Sequence, residues 1–140
     1  MRVLSDFFDN DVANACENID FGQVEEYGVT VLVPVISSTA ANQAVNDTGT
    51  IDPFSGVVLT IQNNPNVTAT LSLDDNAKGV LSGTDLLGSG PYTIASKTLA
   101  DMQAAIRALT FIPTENRTAT TETTTLTISI NDGSTTSNDS

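Results

Sequence analysis

Apolar and polar positions alternate along most of the chain after residue 28, and one segment breaks the alternation. The stretch VTATLSL (67–73) sets Val67, Ala69, Leu71 and Leu73 on one side and Thr68, Thr70 and Ser72 on the other, the pattern of a strand with one buried face. TTTLTISI (123–130) repeats it, with Leu126, Ile128 and Ile130 inward and Thr125, Thr127 and Ser129 outward. Threonine suits such positions because its branched Cβ favours the pleated backbone while its hydroxyl tolerates water. SGVVLTI (55–61) places Val57, Leu59 and Ile61 on one face. VTVLVPVI (29–36) is β-branched, but Pro34 removes a ladder donor, which predicts an edge strand or a strand-to-strand crossing.

Turn-forming clusters separate these runs. QNNPN (62–66) predicts a reversal, DDNAKG (74–79) a second turn into the short strand VLS, and GTDLLGSGP (83–91) a loop before YTI. TLADMQAAIRAL (98–109) departs from the β pattern: Leu99, Met102, Ile106 and Leu109 recur at steps of three and four on one helical face. Thr98, with Asp101 three residues on, resembles a capping box at its start. LTFI (109–112) then reads as a strand limited by Pro113, and residues 130–133, INDG, form a closing turn.

Residues 1–28 sustain neither period. Phe7, Phe8, Val12, Ile19 and Phe21 are interrupted by Asp and Asn, so this part is expected to be an extension with one short helical turn, leaving a module over 29–140. The module adds up to about seven or eight short strands with one helix near 98–109, the signature of an all-β antiparallel sandwich.

Charge narrows the partners. Five basic against 17 acidic residues, a net charge of -12 and no His argue against nucleic acid and anionic membranes, which need cationic side chains to meet phosphate. The missing His also removes the commonest general base, so no Ser-His-Asp or Cys-His pair can be assembled and a non-catalytic protein is expected. Cys16 is the single cysteine, which excludes an intrachain disulfide and leaves a buried thiol, an intermolecular bridge or a modified thiol. No apolar run reaches membrane-spanning length. Near the start, acidic residues arrive too soon for a signal-peptide core. Either export by that route does not occur, or the chain is a processed or excised piece.

The order of pieces resembles a known family. PVIS, AANQAVNDTGTIDPFSGVVLTI, VTATLSLDDNAKGVLSG, the helix followed by ALTFIPT, and the Thr-rich run ending at INDG are similar to the cadherin-like or immunoglobulin-like repeats that occur in tandem in large bacterial surface and type I-secreted adhesins. The likeness covers residues 29–140. It implies an immunoglobulin/cadherin-like sandwich at the cell surface, acting as spacer or adhesive unit and stiffened by calcium. In such repeats one more strand follows the NDG turn, whereas here STTSNDS remains, and VTVLV (29–33) resembles the closing strand of a preceding repeat. A sandwich one strand short presents unpaired N–H and C=O groups. The expectation is therefore head-to-tail homo-oligomerisation into a filament, or joining to neighbouring repeats, with Val29, Val31 and Val33 donating a strand and Leu126, Ile128 and Ile130 accepting one. A fragment cut from an array is the plainer alternative. A glycan- or protein-binding module acting through its end loops is the other functional class.

Calcium is the one site chemistry that the residues suggest, since it needs clustered oxygen ligands. Candidate ligands are Asp47 and Asp52, Asp74 and Asp75, Asn131 and Asp132, and Asp6, Asp9 and Asp11 in the extension. The same side chains serve equally as caps of local turns, and DNDVANACENID (9–20) lacks the glycine and glutamate of an EF-hand. Adjacent Asp74 and Asp75 point apart in a strand or turn, which counts against a glycosidase pair. Sequons at Asn46, Asn66, Asn116 and Asn138 are expected by chance in a chain this rich in Asn and Thr.

Overall fold

The computed structural model describes residues 2–6, 22–30, 32–63, 65–116, 118–119 and 121–140. The chain divides into two compact units, Met1–Val31 and Leu32–Ser140, so the boundary falls three residues beyond the 28/29 position suggested by the sequence.

In the first unit, β1 (Arg2–Asp6) pairs antiparallel with β2 (Gly22–Glu26), from Arg2 opposite Glu26 to Asp6 opposite Gly22. This corrects the reading of residues 1–28 as an extension without strands. Five-residue runs as polar as RVLSD and GQVEE do not carry a readable alternation. The expected helical turn, Cys16, Asp9 and Asp11 lie outside the described residues, and Asp6 closes β1.

The second unit is all-β with one helix. Its strands are β3 (Val35–Ser37), β4 (Val58–Thr60), β5 (Val67–Leu73), β6 (Gly79–Ser82), β7 (Leu86–Leu87), β8 (Tyr92–Lys97), β9 (Thr110–Pro113), β10 (Leu126–Asn131) and β11 (Thr136–Asp139), with α1 (Leu99–Arg107) between β8 and β9. Five of them form an antiparallel sheet in the order β11-β10-β5-β8-β7, and β3-β4 and β6-β9 form two-stranded pairs. Ile51 extends the second pair by bridging to Phe111 of β9, with backbone bonds of 3.1 and 2.7 Å in the two directions.

One hydrophobic cluster unites these parts. The β5 face Val67, Ala69, Leu71 and Leu73 packs with Tyr92 and Ile94 of β8, Ile128 and Ile130 of β10, Leu59, Leu81 and Phe111 from the paired strands, Val57 just before β4, and Met102, Ile106 and Leu109 of the helical segment. Every one of these is buried, and among the described residues no polar or charged residue is buried with them. The alternation of β5 and the three- and four-residue steps of α1 thus decide which side chains enter the core. At the start of α1, Thr98 Oγ1 accepts from the Asp101 N–H at 3.2 Å and donates to Asp101 Oδ2 at 2.8 Å.

Three readings change. The stretch VTVLVPVI yields a strand only after Pro34, at Val35–Ser37, and residues 27–30 and 32–34 carry no regular structure. GTDLLGSGP, expected as a loop, contributes the two-residue strand β7. The tail STTSNDS, expected to leave the sandwich short, turns back as β11 and pairs with β10 from Asn131 opposite Thr136 to Ile128 opposite Asp139.

Candidate assembly edges and acidic turns

The turn between β10 and β11 is built by side chains of the sequence INDG. Asn131 Oδ1 accepts from the Gly133 N–H at 2.7 Å, and Asp132 Oδ1 accepts from the N–H groups of Ser134 (2.8 Å) and Thr135 (2.7 Å). Asp132 Oδ2 accepts from Thr135 Oγ1 at 3.1 Å. Gly133 sits at φ +92°, a left-handed conformation that L side chains adopt at a cost, so the glycine is required there. The donors from Thr135 and then Ser134 hold the Asp132 carboxyl below its ordinary pKa.

Asp74 and Asp75 cap the next turn in the same way. Asp74 Oδ1 accepts from the Asp75 N–H at 2.9 Å, and Asp75 Oδ1 accepts from the Ala77 N–H at 2.8 Å, opening the 3-10 turn Asn76–Lys78. Lys78 Nζ donates to Asp74 Oδ2 at 2.6 Å and to the Thr123 carbonyl at 2.8 Å, strapping the arm before β10 onto this turn. The Lys78 ammonium is the main cause that lowers the Asp74 pKa. Asp52 Oδ1 accepts from Thr110 Oγ1 at 2.8 Å, and Asp47 lies exposed in the 46–49 turn. The Asp74–Asp75 and Asn131–Asp132 pairs therefore stand in separate turns whose N–H groups they satisfy, and Asp52 accepts from a threonine hydroxyl instead. Among the described residues no three His, Cys, Asp or Glu side chains converge on a common point.

The strand margins differ in how they are covered. The β4 edge turned away from β3 meets the helix: the Leu59 N–H donates to Gln103 Oε1 at 2.8 Å, and Arg107 Nε donates to the Val57 carbonyl at 2.6 Å. The Leu81 N–H of β6 donates to the buried Tyr92 hydroxyl at 3.2 Å, while β9 is bridged by Ile51. These three side chains carry out edge protection that spacing along the chain does not reveal, since each acts across 11 to 50 residues. β10, expected to be the accepting edge through Leu126, Ile128 and Ile130, has β5 on one side and β11 on the other. Its ladder is complete, and the open margin passes outward to β11.

The expected donor residues stand differently. Val29 and Val33 are 78% and 49% exposed, and Leu32 and Val35 are exposed beside them, while Pro34 is fully buried and Ile36 packs on the core. Val31 lies outside the described residues. A shallow cleft of about 350 Å³ is lined by Thr84, Asp85, Lys97, Asp101 and the alanines Ala104, Ala105 and Ala108, with Lys97 Nζ 3.2 Å from Asp85. The sequon residues Asn46, Asn66, Asn116 and Asn138 are all exposed. Among the described residues no helix is long and apolar enough to cross a membrane.

Comparison with protein families, with curated proteins and with solved structures returned no match.

Proposed function

We propose that this chain is a non-catalytic structural module, a link in an extracellular surface fibre or adhesin that joins copies or neighbouring modules by donating a strand. The supporting observation is the set Val29, Leu32, Val33 and Val35: all four stand exposed, the three valines have high strand propensity, and none before Val35 belongs to a strand. An extended apolar segment of this kind gains both a hydrogen-bond ladder and burial by adding to a sheet margin elsewhere.

Sedimentation velocity over a concentration series tests the reading. The wild-type chain associates as concentration rises, whereas Thr30→Pro, which removes a ladder donor outside the core, stays monomeric with an unchanged melting temperature. A wild-type chain that remains monomeric at every concentration and is retained on a glycan array would replace the proposal with a ligand-binding module. Calcium at the acidic turns belongs to the same proposal and is tested by itself: a rise in melting temperature on adding Ca2+, reversed by EDTA, supports it, and no shift removes it.

A further inference from the structure

Asp132–Gly133 is the single Asp-Gly step in the sequence, which has no Asn-Gly step. At such a step an aspartate side chain turns most readily on its own backbone, because glycine brings no Cβ to crowd the next amide nitrogen. The Gly133 nitrogen bonds to Asp132 Cγ, and its proton leaves with the carboxyl hydroxyl as water. A second water opens the resulting succinimide at either carbonyl, returning aspartate or leaving an isoaspartate in which the main chain runs on through Cγ. No oxidant or cofactor enters, and the mass of the chain is unchanged. We infer that Asp132–Gly133 is a site of spontaneous aspartate isomerisation, kept latent by the hydrogen bonds of the β10–β11 turn.

Both reacting groups are committed elsewhere while the turn is closed. The Gly133 N–H donates to Asn131 Oδ1 at 2.7 Å, so its nitrogen is engaged by the residue before Asp132. The Asp132 carboxylate reaches past Gly133 to the N–H groups of Ser134 and Thr135 at 2.8 and 2.7 Å and to Thr135 Oγ1 at 3.1 Å. The same donors keep that carboxyl ionised, the form without a hydroxyl to expel. Crowding does not guard the step: Gly133 is exposed, and a Cβ built on it would meet no atom within 4 Å. Hydrogen bonds alone hold it back, and the reaction goes forward from the opened turn. The consequence falls on β11, which is delivered to β10 by this turn. The added main-chain carbon moves Thr136 from its place opposite Asn131 and spoils the register that follows.

The test holds the full-length chain in mildly acidic buffer, folded in one arm and in urea in the other. Isoaspartate is counted with an isoaspartyl methyltransferase assay and located by electron-transfer mass spectrometry. The expected result is accumulation at residue 132 in urea, and accumulation at least roughly tenfold slower in the folded chain. Asp132→Glu, which would have to close a larger ring, is expected to lose the signal at this position in urea. Folded Asn131→Ala is expected to isomerise faster than the parent, and isolated isomerised chains to exchange their Thr136–Asp139 amides quickly. No isoaspartate at residue 132 in urea would overturn the site. Equal rates in the two arms of the parent, which need no variant to fold, would overturn the latch. An unchanged rate in Asn131→Ala would remove the Asn131–Gly133 bond from it, and unchanged β11 exchange in isomerised chains would overturn the consequence for that strand.

Discussion

Asp132 gathers three donors onto one carboxylate, and the Asn131–Gly133 bond completes the turn on which β11 depends. Asp132→Ala is expected to lower the melting temperature and to abolish slow amide exchange selectively at Thr136–Asp139, read by hydrogen-exchange mass spectrometry. The pH dependence has a defined sign. Asp74 and Asp132 both have folded-state pKa values below the ordinary aspartate value, Asp74 through the Lys78 ammonium and Asp132 through backbone N–H donors. The unfolded chain therefore takes up these protons first as acid is added. Their stabilisation is in full force above about pH 4 and is lost as pH falls through the lower folded values. Thermal melts between about pH 5 and pH 2.5 are expected to show a smaller loss for Asp74→Asn with Asp132→Asn than for the parent. In the core, Leu71 and Ile106 are fully buried, and either changed to Ala costs about 2–5 kcal/mol in denaturant titration.

At the scale of elements, α1 packs the core with one face and caps a strand margin with its polar neighbours. Gln103→Ala strips the acceptor from the Leu59 N–H, a loss of roughly 1 kcal/mol, and opens the β4 edge. The expected outcome is a small fall in stability with new concentration-dependent light scattering from a second type of contact. The elements readable from the sequence were those with a sustained period: β5 and β10 each repeat one apolar side three or four times, and α1 repeats its own at helical steps. The elements missed were those whose existence depends on a partner. β1 and β2 are nearly as polar as loops, β7 is two residues long, and β11 is Thr-Ser-Asn-Asp, a sequence that becomes a strand because the turn at 131–133 delivers it to β10. The acidic positions were legible as turn residues. What their oxygens bind was not, because the N–H groups they accept from are set by local backbone geometry. Gln103, Arg107 and Tyr92 were invisible as edge guards for the opposite reason, since their partners are brought to them only by the tertiary fold.

For the whole molecule, charge and division into units set the terms of association. Residues 1–26 carry seven acidic residues and one basic residue, and residues 27–140 carry ten and four, so each part contributes a net -6 to the total of -12. Like charge makes copies repel one another at long range, and the stretch between Glu26 and Asp47 adds none of that charge. Raising ionic strength from about 0.01 M to about 0.5 M shortens the screening length from roughly 30 Å to well under 10 Å and is expected to tighten self-association in sedimentation. A salt response in the opposite direction would mean that ion pairs, not an apolar strand, hold the copies together. The strapping of basic groups has a separate outcome. In Leu32–Ser140 the three described cationic side chains are all engaged: Lys78 by Asp74 and Thr123, Lys97 by Asp85, and Arg107 by the Val57 carbonyl. A protease that recognises lysine or arginine must pull each of these loose before it can cut, and the Lys78–Gly79 bond additionally leads straight into a buried residue of β6. Trypsin-like cleavage at these three residues therefore waits on local opening of the fold.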